Sequence, residues 1–166
     1  MKKESPGFAG KEDYIRDGRH LILRPLQPED CCQAADLLAA CFADPWSREA
    51  LEEACRQEAY IQTGAFLQSG LIGYAGLKMV LDEADVTNIC VHPDRRLSGI
   101  GKALLGQLLS MAEDRGIGRI YLEVRASNQA AIHMYREAGF KETGKRRGFY
   151  ERPKEDALLM MRDQTC

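Results

Sequence analysis

The amino-acid sequence predicts an α/β (α+β) fold, a mixed sheet of about seven strands with helices packed against it. Three observations carry this. Residues 86–91 are a short apolar run that enters a basic, glycine-containing turn, a helix of about four turns follows, and residues 119–125 then alternate Ile120, Leu122 and Val124 against Tyr121, Glu123 and Arg125. A strand, a helix and a strand in that order form a right-handed crossover with parallel pairing. Residues 59–68 and 71–81 are apolar runs separated by Ser69-Gly70, which reads as an antiparallel hairpin. Residues 140–145 and 156–162 close the chain as a further strand pair around a basic turn.

Before this frame, residues 1–18 are polar and without period, and they are read as a flexible N-terminal arm, leaving 19–166 as one domain. His20-Leu21-Ile22-Leu23-Arg24 is a short strand stopped by Pro25. Pro28-Glu29-Asp30 opens a helix whose buried stripe is Ala34, Leu37, Leu38 and Cys41, and Ser47 caps a second helix over residues 48–56. Residues 82–85, Asp-Glu-Ala-Asp, are a turn before the central strand. In the crossover helix Ile100, Ala103, Leu104, Leu108, Met111 and Ala112 make a wide apolar stripe that Gly116 and Gly118 end. Ser127 or Asn128 caps a last helix that Gly139 stops.

Composition excludes several classes. With 166 residues, 45% hydrophobic and 29% charged, the chain has ordinary globular composition, and a net charge of −2 gives no field for bulk nucleic-acid binding. No apolar run reaches the ~20 residues of a membrane span and the N-terminus lacks a signal-peptide core, so a cytoplasmic location without membrane contact is expected. The six cysteines show neither C-x-x-C pairs nor neighbouring histidines, which argues against a metal or a redox pair. Residues 141–154 hold six basic residues, either a solvated hairpin or a surface for an acidic partner.

The chemistry concentrates at residues 87–102. A helix N-terminus with glycines before it is an anion cradle, since its first N–H groups lack intrahelical partners and carry the positive end of the dipole. Its spacing fits neither a Walker loop, which would need Gly at Arg96 and Ser or Thr at Ala103, nor the dinucleotide fingerprint, whose third glycine would fall at Leu104. What remains, Arg96-Leu97-Ser98-Gly99-Ile100-Gly101, resembles the acetyl-CoA pyrophosphate loop of the GNAT superfamily of N-acetyltransferases. Leu122-Glu123-Val124-Arg125-Ala126-Ser127-Asn128, Ala131-Ile132-His133-Met134-Tyr135 and Gly139-Phe140 resemble the second half of such an enzyme. With Pro45-Trp46-Ser47, Val80-Leu81-Asp82-Glu83-Ala84, Tyr150 and Glu155-Asp156-Ala157, they resemble the ribosomal-protein-alanine N-acetyltransferase subgroup over residues 20–162. The chain departs from that subgroup at His92, Ser98 and Met134.

The resemblance implies a GNAT fold with helices on both sheet faces, and acetyl-CoA as co-substrate without a metal. The backbone of Ile89, Cys90 and Val91 would hold the acetyl-pantetheine, with the Val91 N–H on the thioester oxygen. Leu97, Ser98, Gly99, Ile100, Gly101 and Lys102 would bind the pyrophosphate, and Asn128 the pantetheine arm, a role compatible with an ordinary helix cap. Glu123, a strand carboxylate between apolar neighbours and therefore expected to be partly desolvated, is the candidate general base; its plain alternative is a surface charge paired with Arg125. Tyr135 is the candidate acid for the leaving thiolate, or otherwise a core aromatic. A nucleophilic Cys90 would need a basic neighbour that the strand does not supply. The implied acceptor is a protein N-terminus, a ribosomal protein beginning with Ala. A small-molecule amine, a lysine side chain, or a non-catalytic acyl-CoA-binding regulatory module remain as alternatives.

Overall fold

A computed structural model describes residues 11–14, 18–96 and 98–165; the rest of the expected arm, Leu97 of the loop and Cys166 lie outside them. Among the described residues eight strands form one sheet: β1 (Lys11–Tyr14), β2 (His20–Pro25), β3 (Tyr60–Leu67), β4 (Gly70–Val80), β5 (Glu83–Val91), β6 (Arg119–Arg125), β7 (Lys141–Glu151) and β8 (Lys154–Asp163). Their order is β1-β2-β3-β4-β5-β6-β8-β7. Every pairing is antiparallel except β5 with β6, so the sheet is mixed as expected.

Helices cover both faces. On one, α3 (Ile100–Asp114) and α4 (Gln129–Glu137) bury Leu104, Leu108, Ile132 and Tyr135 against Leu23, Ile72, Ala75, Ile120 and Leu122. On the other, α1 (Cys31–Cys41) and α2 (Arg48–Arg56) bury Ala34, Leu38 and Leu51 against Phe66, Tyr74 and Cys90. The alternation of strand side chains divides the two cores, with Tyr74 on the α1/α2 side and Ala75 on the α3/α4 side.

Local chemistry sets the helix starts. Before α1, Asp30 accepts the Gln27 N–H at 2.8 Å and both Arg24 Nη atoms at 2.7 and 2.9 Å. Ser47 Oγ accepts the Ala50 N–H at the start of α2, and Asn128 Oδ1 the Ala131 N–H at the start of α4.

Three segments differ from the sequence expectation. Lys11–Tyr14, inside the expected arm, pair antiparallel with β2 along its otherwise open edge. The turn before β5 is tighter than four residues: Leu81 and Asp82 make it, with Leu81 at φ 58°, and Glu83 already pairs with Val80. The basic segment is strand rather than turn, because β7 runs through it against β8 with two register shifts.

Candidate active site

The crossover strands pair only at their beginnings. β5 and β6 are in register at Glu83–Arg119, Ala84–Ile120 and Asp85–Tyr121, after which no ladder joins them. The break coincides with a β-bulge, since Gly76 faces Asn88 and Leu77 faces Val86, leaving Thr87 as the extra residue. Only glycine fits opposite it. A Cβ at Gly76 would stand 2.6 Å from Tyr74 Oη and 2.8 Å from Thr87 Oγ1.

Past the bulge, His92 N–H donates to Ile72 O on β4 at 2.8 Å. Backbone groups alternate sides along a strand, so Ile89 and Val91 present theirs to the gap beside β6 while those of Cys90 turn to β4. The gap is an open strand edge inside the sheet, a slot for the amide groups of an extended ligand. Of the three residues expected there, Ile89 and Val91 meet it with backbone; Cys90 instead turns its side chain into the α1/α2 core.

The loop leaving β5 leads into α3. Ser98 Oγ donates to Arg95 O at 2.6 Å, and Gly99, the residue before the helix, has φ 84° in the left-handed region. Ile100 is buried, so it contributes only backbone to the cradle. No acidic side chain occupies the first turn of α3, and the positive end of its dipole is left for a ligand. Gly101 faces Met134 and Val91 at ordinary contact distance, and Lys102 Nζ lies 3.9 Å from Glu137 Oε2 on α4. Arg96 folds back, with Nε donating to Val91 O at 3.2 Å and Nη2 lying 3.7 Å from Cys41 Sγ.

The two candidate proton-transfer groups lie on opposite faces of the sheet. Leu122 and Val124 point into the α3/α4 core, so Glu123 between them points to the α1/α2 face, beyond the reach of those helices. The expected desolvation is absent: Glu123 is exposed, and its ion-pair partner is Arg146 at 3.9 Å rather than Arg125. Arg125 is held by Arg152 O, Pro153 O and Glu155. The case for Glu123 therefore rests on its position. Tyr135 comes from the other side, buried with its ring edge-on to Phe140 at 5.7 Å, and burial followed by the neighbouring Tyr150 pushes its phenol up. It stays protonated at neutral pH, the state an acid needs. Tyr150 is near both, half-buried under the Arg125 guanidinium at 4.2 Å, its own phenol raised by burial and then by Glu123.

The burial of Cys90 against Cys41 counts against a nucleophilic role for it. The adjoining Cys41 and burial push its thiol up, whereas Cys41 itself is lowered by Cys90 and Arg96. Among the described residues no group of His, Cys, Asp and Glu is arranged to hold a metal, and no helix is long and apolar enough to cross a membrane. The acidic turn lies at the paired end of β5 and β6, where Glu83 is taken up by Arg119 and Tyr121. Trp46 is edge-on to Tyr60 at 5.9 Å.

A splayed parallel pair with a glycine loop leading into a helix N-terminus accords with the family match: the chain belongs to the Acetyltransferase (GNAT) family, whose pattern matches residues 32–140. It is an acyltransferase of that family. It is 36% identical over 137 residues to the [ribosomal protein bS18]-alanine N-acetyltransferase of Escherichia coli strain K12, covering 81% of this chain and 92% of that protein. A putative enzyme of the same description from Bacillus subtilis is 30% identical over 139 residues, 83% of this chain and 92% of that one. The crystal structure of the Escherichia coli ribosomal-protein-S18-alanine N-acetyltransferase superposes with a TM-score of 0.79 at 34% identity, over 88% of this chain and 95% of that one. The fold is shared as well with a Thermoplasma acidophilum N-acetyltransferase in complex with coenzyme A, at TM-score 0.71 and 21% identity, over 86% and 98%.

Proposed function

We propose that this protein transfers the acetyl group of acetyl-CoA to the α-amino group of a protein N-terminus, with a ribosomal protein beginning with Ala as the acceptor, as the names of its relatives suggest. The observation that supports the reading is the position of Tyr150, which lies near both Glu123 and the buried Tyr135. In this reading acetyl-CoA supplies an activated thioester. The cradle of Ser98, Gly99, Ile100, Gly101 and Lys102, together with Leu97, holds its pyrophosphate, and Asn128 Nδ2, left over from the cap, meets the pantetheine arm. The Val91 N–H donates to the thioester oxygen as that oxygen gains charge. Glu123 receives a proton from the incoming amine, and Tyr135 gives one to the departing thiolate.

The acceptor choice follows from proton availability. A free α-amine has a reference pKa near 8, roughly two units below lysine, so about a tenth is already neutral at pH 7 against well under a hundredth for lysine. One exposed carboxylate suits the former. Thiol release measured with Ala-initiated peptides, internal-lysine peptides and polyamines tests the proposal. Faster turnover of the Ala peptides is expected; faster turnover of lysines or polyamines would replace the acceptor, and no turnover with any amine would favour an acyl-CoA-binding module.

A further inference from the structure

Arg125, the last residue of β6, holds three elements at once. Its Nη1 donates to Pro153 O at 2.9 Å and to Glu155 Oε2 at 3.4 Å, and its Nη2 donates to Arg152 O at 3.1 Å. Its Cζ stands 4.2 Å from the centroid of the Tyr150 ring. Glu155 passes the hold on, because its other oxygen accepts the Ser127 N–H at 2.7 Å, one residue before the Asn128 cap of α4. The end of β6, the start of α4 and the β7–β8 hairpin therefore meet at one ion pair. It is a shielded one, with side chains 29% and 20% exposed.

Strand pairing alone gives the end of β7 a weak hold. The ladder with β8 breaks between Arg146 and Tyr150 and resumes for two pairs only, Tyr150–Glu155 and Glu151–Lys154, before the turn. The Phe149 edge on the Tyr150 ring comes from the same strand and moves with it, whereas the guanidinium comes from β6. Directly paired residues share a face, as do residues two apart on a strand. Arg125 pairs with Ala157, which puts Glu123, Arg125, Glu155 and Tyr150 on one face. After burial, Glu123 is what raises the Tyr150 phenol, and Tyr150 what raises that of Tyr135. The residue that Arg125 pins thus neighbours both candidate proton-transfer groups.

Resting on the amine-acceptor reading above, we infer that Arg125 is a positioning residue, which together with Glu155 fixes the Tyr150 ring beside Glu123. A guanidinium suits the task because it is planar. Its face lies on the ring while the N–H groups in its plane reach two carbonyls and a carboxylate. A lysine ammonium would keep the charge and lose the fork. Arg125 acts on turnover through Tyr150: an amine that gives its proton to Glu123 meets the ring in one place instead of several.

The test is a double-mutant cycle on acceptor kcat/KM, with Arg125→Met, Tyr150→Leu and the two combined. Arg125→Met should lower acceptor kcat/KM about tenfold in the wild type and less than about twofold beside Tyr150→Leu, since a residue acting through another has nothing left to lose. Arg125→Lys should fall nearly as far, and Glu155→Gln by a smaller factor. The acetyl-CoA Kd from calorimetry should stay within twofold of the wild type throughout. By relaxation measurements without substrate, the Tyr150 ring should be more mobile in Arg125→Met than in the wild type. Losses that multiply in the double variant, a rescue by Arg125→Lys, or a loss confined to acetyl-CoA affinity overturns the inference. Should the wild type prefer a lysine or a polyamine to the Ala peptides, the N-terminal acceptor fails separately, and the cycle is scored on that amine. Should no amine be turned over, the transfer reading fails and the ring mobility decides, equal mobility in Arg125→Met overturning the inference. Should Arg125→Met not fold, Arg125→Lys and Glu155→Gln take its place in both measurements.

Discussion

Asp44 Oδ1 and Arg152 Nη2, 108 residues apart in sequence, meet at 3.1 Å and tie the α1–α2 connection to the β7–β8 turn. Both side chains are largely exposed, so the pair adds little stability, at most about 1 kcal/mol. It joins the loop between two helices of the α1/α2 side, the side to which Glu123 points, to the turn that follows Tyr150.

Breaking that tie should act on the acceptor and not on the fold. Asp44→Ala is expected to raise peptide KM several-fold, with acetyl-CoA KM and melting temperature nearly unchanged. Since exposed ion pairs are screened by salt, wild-type peptide KM should climb between low salt and about 0.5 M, while Asp44→Ala stays flat. A flat wild-type profile would leave the contact without a role in acceptor binding.

The two proton-transfer groups separate by pH. Glu123→Gln should lower kcat at neutral pH by roughly 100- to 10,000-fold and recover part of it at high pH, where the amine is neutral without help. Tyr135→Phe should fall by a similar factor and show no recovery. Because burial pushes the Tyr135 phenol up, the wild type should have no alkaline limb from that group below about pH 10. An unchanged kcat in Tyr135→Phe would return the residue to the core beside Phe140.

At the cradle, Gly99→Val places a branched residue at φ 84°, where an L side chain costs about 1–2 kcal/mol, and narrows the approach to the helix N-terminus. Acetyl-CoA affinity should fall at least tenfold in calorimetry. Gly101→Val, crowding Met134 and Val91, should do the same without the backbone strain. Binding like the parent in either variant would mean the pyrophosphate sits elsewhere.

Acid should loosen the start of α1. Burial acts to raise the Asp30 carboxyl, but the Arg24 guanidinium and the Gln27 N–H outweigh it and hold it below the usual carboxylate range. A carboxyl lowered in the folded state contributes stability that is full above the unfolded value near 3.8 and lost as pH falls through the folded one. Asp30→Asn should therefore cost about 1–3 kcal/mol at pH 7 by denaturant unfolding, with the difference from the wild type shrinking below about pH 4. A pH-independent difference would assign the cost to packing instead.

What the sequence disclosed follows from which signals are local. The crossover from β5 through α3 to β6 was legible because its apolar positions repeat at two and then at 3.6, and the anion loop because Gly99 and Gly101 interrupt that pattern at the helix start. β7 was not, because it is an edge strand exposed on both faces and so carries no alternation. β1 is polar and held by backbone, for which no side-chain pattern exists. The exposure of Glu123 depends on how far α1 and α2 reach across the sheet, and the bulge at Thr87 on the register of a partner strand. Neither quantity is written in any single segment.

The open edge of β5 is made of main chain, and this bears on how the protein can change. Ile89 offers the gap an N–H and a carbonyl and Val91 its N–H, the Val91 carbonyl being held by Arg96, while their side chains serve the hydrophobic interior. Drift among Ile, Val and Leu at these positions can retune packing and leave the hold on a ligand intact. Heredity at this slot thus protects a shape of backbone and not the identity of a residue, with proline as the one substitution it cannot absorb.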